Sequence, residues 1–326
     1  MSGVEVRTVL ADDADTRLDR WFRRHYPGLS HGRLEKFLRT GQIRLDGRRA
    51  KASTRVVEGQ AIRIPPLDDE ACGHRQLSGG DARPPAAFSD DEIEQFRALV
   101  LYRDSDVLAL NKPAGLAVQG GSGVGKHVDA MLDVLRFEMT ERPRLVHRLD
   151  KDTSGVLLIG RTVKATAAIA EALRRRETNK IYWAAVVGVP KPHQGVIDLS
   201  LAKQGSRGSE RMVEAENGKW ARTHYRVIEA AARQAAWVEL APETGRTHQL
   251  RAHMAAVGTP VLGDGKYGGK AAHMTGLSNR LHLHARSIDV PMPDGRRISV
   301  SAPLPRHMIE TWEFFGFPAD VDVISS

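Results

Sequence analysis

Apolar residues near the start of the chain fall at helical spacing. Leu18, Trp21 and Phe22 share one face of a predicted helix, which Asp15 or Thr16 is placed to cap and Pro27–Gly28 to end. Ser30 opens a second such run. It turns Leu34, Phe37 and Leu38 inward and Arg33, Lys36 and Arg39 outward, and Gly41 closes it. Ile43–Leu45 and the residues after Asp46–Gly47 suit a hairpin with a tight turn, and Val57 with Ile62–Ile64 a final strand. Past residue 98 the period changes repeatedly. Tyr102–Leu110 reads as hairpin strands, Asn111–Gly115 as a turn and Met131–Phe137 as a helix. Val156–Ile159 reads as a short buried strand, Lys164–Arg175 as an amphipathic helix and Ile181–Val187 as another strand. Helices and hairpins alternate irregularly, so the expected class is α+β with a mixed, largely antiparallel central sheet.

Charge divides the chain more sharply than periodicity does. Its 326 residues carry 48 Lys+Arg against 40 Asp+Glu, a net of +8, which points to a polyanionic partner. Residues 16–55 hold 12 Lys+Arg and three acids, a net of +9; residues 66–97 hold eight acids and three arginines, a net of −5. The first stretch is a basic module, with Arg44, Arg48, Arg49 and Lys51 crowded on its hairpin. A nearly single-signed face on so small a module favours contact with nucleic-acid phosphates over a merely solvated surface. The acidic stretch, rich in Pro and Gly, reads as a flexible linker.

Other classes drop out quickly. The single cysteine, Cys72, excludes an intramolecular disulfide framework and a Cys-rich zinc cage. No apolar run approaches the ~20 residues of a membrane-spanning helix, and Met1–Thr16 lacks the basic-then-apolar order of a signal peptide. A soluble, cytoplasmic protein without a membrane partner is expected.

Three stretches carry candidate chemistry. Gly120–Lys126 has the glycine and lysine spacing of a phosphate-binding P-loop, but His127 stands where Ser or Thr must bind Mg²⁺, so a glycine-rich surface loop is the better reading. Leu145–Ile159 sets a polar block, His147 to Ser154, directly before a hydrophobic strand, and Asp150 and Asp152 offer carboxylates there. From the residues alone, a nucleophile-bearing loop and a capped turn are equally good accounts of it. Pro242–Met254 gathers Arg246, His248, Arg251 and His253, with Leu250 and Met254 at helical spacing. The His248/His253 and His282/His284 pairs lack the spacing or the acid of a zinc site, so structural histidines and no catalytic metal are expected.

Thr16–Trp21, Leu29–Ile43 and Asp46–Gly47 resemble the S-four-type (α-L) RNA-binding module. Asn111–Gly115, His147–Asp150 with Thr153–Gly155, Lys180–Gly188, Gly245–Arg251 and Gly263–Gly268 occur in the order seen in RNA pseudouridine synthases, and the chain resembles their RluA-type family from Thr16 to about Pro305. Gln119–Gly123, Gly208–Arg211 and Leu277–Ala285 narrow the resemblance to members acting on large-subunit ribosomal RNA. The long acidic linker and an insertion around Ala230–Ala236 depart from the family pattern.

The resemblance implies this organisation: an N-terminal tail (1–15), the RNA-binding module (16–65), the linker (66–97), a pseudouridine synthase domain (98–318) and a C-terminal tail (319–326). It implies isomerisation of uridine to pseudouridine in large-subunit ribosomal RNA, with no cofactor, nucleotide or metal. Asp150 is then the catalyst. Tyr182 stacks under the base and assists proton removal at C5; Arg251 pairs with Asp150 and favours its ionised form. Arg148 enters the RNA beside the extruded uridine, while Arg33, Lys36, Arg39, Arg44, Arg48, Arg49 and Lys51 bind RNA phosphates. A transfer-RNA modifier and a non-catalytic RNA-binding protein of ribosome assembly remain as alternatives. A monomer is expected, because no further amphipathic or heptad stripe asks for a partner.

Overall fold

The structure is a computed structural model that describes residues 4–10, 13–26, 28–67, 88–120, 126–205 and 210–318. Two units divide the chain, Met1–Arg83 and Pro84–Ser326. In the first, β1 (Glu5–Thr8), α1 (Leu18–His25), α2 (His31–Arg39), β2 (Arg44–Leu45) and β3 (Ala61–Ile64) build a three-stranded antiparallel sheet, order β1-β3-β2, under two helices. Leu18, Trp21, Phe22, Leu34, Leu38, Ile43, Ile62 and Ile64 form its core. Ser30 caps α2 by accepting the Arg33 N–H. Asp46 (φ 48°) and Gly47 (φ 73°) are both left-handed, as a two-residue hairpin turn requires, and Leu45 and Arg48 exchange backbone hydrogen bonds across it.

Three expectations for this unit change. Arg17, not Asp15 or Thr16, occupies the cap position of α1, because the carbonyls of Thr54 and Ala52 take the N–H groups of Leu18 and Asp19 and leave a capping side chain little to do. Val57 lies in a turn outside β3. Strand β1 had no apolar alternation to announce it, since all four of its residues are exposed and it is held by pairing with β3. Pro27 lies outside the described residues, as do most of the expected linker (68–87), residues 121–125 of the glycine loop and the expected C-terminal tail.

The second unit begins inside the expected linker. Residues Asp90–Arg97 form helix α3, closed by a reciprocal capping box between Ser89 and Glu92, and its Phe96 is buried. Three of the eight acids that suggested a spacer, Asp90, Asp91 and Glu92, instead sit in the first turn of a helix, where the dipole favours them. Then follow β4 (Val100–Arg103), β5 (Val107–Lys112), α4 (Val128–Met131), β6 (Arg144–Leu145), β7 (Ser154–Gly160), α5 (Val163–Arg175) and β8 (Asn179–Val187). After these come β9 (Gln194–Gln204), β10 (Arg211–Glu214), β11 (Lys219–Ala231), β12 (Ala235–Pro242), α6 (Gln249–Ala256), β13 (Leu283–Pro291), β14 (Arg297–Ser301) and α7 (Arg306–Phe315).

The strands form one eleven-stranded mixed sheet ordered β10-β9-β11-β12-β8-β13-β7-β5-β4, with β14 on β13 and β6 on β7. Among the strands of the described residues only β13 and β7 pair in parallel. The continuous apolar run of β7 reflects burial on both faces: Val156 and Leu158 pack towards α5, Leu157 and Ile159 towards α4. Trp183, Trp237 and Trp312 anchor another layer, with successive ring centroids 4.6 and 5.5 Å apart. Two further expectations shift. Met131–Phe137 is no single helix: α4 ends at Met131, a 3-10 turn spans Leu132–Leu135, and Phe137 is left-handed (φ 49°). Asn111 and Lys112 continue β5 rather than opening the turn, because they pair with Val156 and Gly155 of β7.

Candidate active site

The loop before β7 is fastened from both sides. Lys112, fully buried at the end of β5, donates through Nζ to the carbonyls of Pro113 (3.0 Å), Leu116 (2.9 Å) and Lys151 (3.0 Å). The Gly115 N–H adds a second donor to the Lys151 carbonyl at 2.9 Å. Burial pushes the Lys112 ammonium down to about 8, against the pull of the Asp152 and Asp150 carboxylates. On the other side His147 Nε2 accepts the Leu158 N–H at 2.9 Å, which requires a neutral ring, and burial pushes that ring down to about 4. Ser154 Oγ bonds His284 Nδ1 at 2.8 Å. Between these fastenings stands Asp150.

Its neighbours come from strands set by register. Gly155 faces Ala285 of β13, and Ala285 faces Tyr182 of β8, so one row across the sheet joins the Asp150 loop to the phenol. Gly155 is left-handed (φ 107°), and a Cβ there would lie 2.2 Å from the Ala285 carbonyl oxygen; glycine is what lets β13 approach. The Asp150 side chain is 25% exposed and opens into a cavity of about 780 Å³ whose wall includes Arg148, Tyr182, His248 and Arg251. A second cavity, about 560 Å³, shares Asp150, His248 and Arg251 and adds Lys151, Lys266 and Arg280.

The structure thus brings Asp150, Tyr182, Arg251 and Arg148 to one cavity, but it reassigns the partner of Arg251. That guanidinium grips Asp264 with Nε and Nη2, both at 2.7 Å, and acts on Asp150 through its charge. Asp264 wins because its carboxylate is fully buried and must have a cation, while Asp150 keeps access to solvent. Burial opposes the Arg251 charge, yet the bonds to Asp264 and the Asp150 charge hold it protonated. Tyr182 lines the same cavity. Burial and the Asp150 charge push its phenol well up, so the side chain rests as a neutral ring with a hydroxyl.

Sequence reasoning gave no task to Lys112, Asp264, His248 or Tyr267. The available signal was that two of them, Lys112 and Asp264, are charged residues beside or within glycine-bearing stretches, where a backbone is free to wrap around a buried ion. His253, His282 and His284 are buried and hydrogen-bonded as structural histidines are, whereas His248 Nε2 lies in the cavity wall 4.0 Å from Asp150 Oδ1. No group of three or more His, Cys, Asp or Glu is arranged to hold a metal among the described residues.

Around the larger cavity stand further cations: Arg174, Arg176, Lys180 and Arg246. Arg176 lies 4.7 Å over the Trp220 ring, and Arg246 Nε donates to the Trp220 carbonyl at 3.1 Å. Arg33, Lys36, Arg39, Arg44, Arg48, Arg49 and Lys51 belong to the first unit; all but the partly buried Arg33 are exposed.

Residues 106–256 match the family described as RNA pseudouridylate synthase. The ribosomal large subunit pseudouridine synthase C of Rickettsia bellii is 36% identical, across 90% of this chain and 95% of its own length. The protein of the same name from Escherichia coli is 34% identical, across 92% and 93%. Among solved structures, human RNA pseudouridylate synthase domain containing 4 superposes with a TM-score of 0.58 at 28% identity, covering 69% of this chain and 95% of its own.

Proposed function

The chain belongs to the RNA pseudouridylate synthase family, and from that premise we propose that Asp150 is the catalyst with which it isomerises uridine in large-subunit ribosomal RNA. The enzyme is a pseudouridine synthase, an isomerase. In that reaction the bond between N1 and the ribose carbon breaks, C5 bonds to the same carbon, C5 gives up its proton and N1 gains one. Atoms and electrons balance within the nucleotide and water.

One observation carries the assignment. Asp150 is the carboxylate that both opens into the cavity and has Tyr182 and Arg251 beside it. Arg251, already committed to Asp264, sets a positive charge beside Asp150 without covering it. Tyr182 supplies a flat face for the uracil. Arg148, exposed on the same wall, is placed to fill the gap an extruded base leaves. Arg174, Arg176, Lys180 and Arg246 supply a cationic rim for the phosphates on either side. The first unit, with its capped α2 and exposed basic hairpin, we read as an S-four-type RNA-binding module that adds salt-dependent affinity. The ribosomal substrate rests on the names of the relatives, and such a substrate favours the cytoplasm as the compartment of the enzyme.

Tritium release from 5-tritiated uridine tests this. Asp150→Asn is expected to lower turnover on large-subunit RNA at least about 100-fold. Appreciable turnover by folded Asp150→Asn removes Asp150 as the catalyst. Equal turnover of transfer-RNA transcripts by the unsubstituted enzyme removes the ribosomal substrate.

A further inference from the structure

His248 and the Gly263–Gly268 turn have no task in that reaction, yet they meet beside Asp150. Tyr267 Oη accepts the Met212 N–H at 2.9 Å and lies 3.0 Å from His248 Nδ1. The other ring nitrogen, Nε2, is 4.0 Å from Asp150 Oδ1. A bare nitrogen lone pair facing a carboxylate would be repelled, so the ring proton belongs on Nε2. His248 Nδ1 is then an acceptor, and Tyr267 donates to it while its oxygen receives the Met212 N–H.

The turn fixes this arrangement from below. Asp264 Oδ1, besides holding Arg251, accepts the N–H groups of Lys266 and Tyr267 at 3.2 Å each. His248 is itself left-handed (φ 51°) where α6 begins, a conformation that a histidine adopts at a cost and that turns its ring edge-on to Tyr267, at 87°. Burial, Arg251 and Lys266 disfavour a charged imidazole, while Asp150 and Asp264 pull the other way; the net shift is downward and the ring is neutral near pH 7.

We propose that His248 is the positioning residue of Asp150. When RNA fills the cavity, the Nε2–H closes on Oδ1, holds the carboxylate in one orientation and leaves Oδ2 for the nucleoside, while Tyr267 selects the tautomer that can donate. A closure of about 1 Å suffices, and such bonds commonly tighten only with substrate present. The proposal rests on Asp150 being the catalyst. It gives the Gly263–Gly268 turn a function: Asp264 and Tyr267 organise Arg251 and His248, two groups that act on Asp150.

The test uses the full chain. Nitrogen-15 spectra of labelled histidine should show His248 protonated on Nε2 and bare on Nδ1, and Tyr267→Phe should convert that signal to a mixture of tautomers. His248→Leu should lower kcat about 10- to 100-fold, the loss of one hydrogen bond to a charged group, with KM for RNA changed less than about twofold. His248→Gln, whose amide nitrogen falls near the former Nε2, should recover most of the rate. A proton on Nδ1, a loss confined to KM, or equal losses for Leu and Gln overturns the proposal. So does full turnover by His248→Leu beside an inactive Asp150→Asn, an outcome that leaves the catalyst in place. Turnover by Asp150→Asn strikes the catalyst assignment itself. Should His248→Leu fail to fold, the tautomer of the unsubstituted chain decides.

Discussion

Asp264→Asn and Asp150→Asn remove the same charge from two neighbouring aspartates, and the structure predicts very different costs. The Asp264 side chain is 0% exposed and the Arg251 side chain 8%, joined by two hydrogen bonds of 2.7 Å. Asparagine keeps a carbonyl for the Lys266 and Tyr267 N–H groups, so the substitution isolates the ionic component. A buried guanidinium left without its counter-ion costs about 3–5 kcal/mol. Among the described residues no Lys or Arg bonds Asp150, which keeps a quarter of its side chain in solvent, so its substitution should cost less than about 1 kcal/mol. Arg251→Met alone should be as damaging as Asp264→Asn, while the double variant should regain at least about 2 kcal/mol over the sum of the singles, since neither ion is then stranded. Urea unfolding midpoints at constant m measure all four. If Asp150→Asn destabilises as much as Asp264→Asn, or if the losses at 251 and 264 simply add, Arg251 does not belong to Asp264 and the electrostatics of the site must be redrawn.

Two other consequences are open to direct measurement. His147, His253, His282 and His284 are each pushed down to about 4, chiefly by burial. Between pH 6.5 and 4 the unfolded chain therefore binds protons that the folded chain refuses, and each ring contributes up to about 3 kcal/mol that is present above pH 6.5 and lost as pH falls to 4. Thermal midpoints should begin to fall just below pH 6.5, before carboxylates titrate; a flat profile down to pH 5 would contradict the burial of these rings. Replacing the exposed Lys36, Arg39, Arg48, Arg49 and Lys51 by Ala should reduce the slope of log affinity against log salt by about 0.7 for each phosphate no longer neutralised, and an unchanged slope would separate the first unit from RNA binding.

Local features were legible in the sequence because their causes are local. Ser30 beside an apolar stripe, Asp46–Gly47 between strand residues and the amphipathic run that became α5 each act within a few positions. Helix α3 was hidden by its own composition: the acids that favour its first turn are also the residues that make a linker. Strand β1 was hidden because backbone pairing, with no buried side chain, holds it. The motif around Asp150 could be found, but its electrostatic partners could not. Arg251 is 13 residues from Asp264 and much farther along the chain from Asp150, and the choice between them depends on which carboxylate the fold buries more completely. Lys112 poses the same problem. Its acceptors are carbonyls, one of them at residue 151, and no side-chain pattern encodes a carbonyl.

That buried ammonium decides where flexibility resides in the encounter. With three carbonyls drawn onto Lys112, the acid-bearing loop holds its shape before any polynucleotide arrives. The reorganisation needed for turnover then falls on the nucleic acid, which must unstack and swing its pyrimidine outward to reach a fixed target. Segments that are already loosely stacked would be modified fastest, and folding of the transcript itself would become a timer for its own modification.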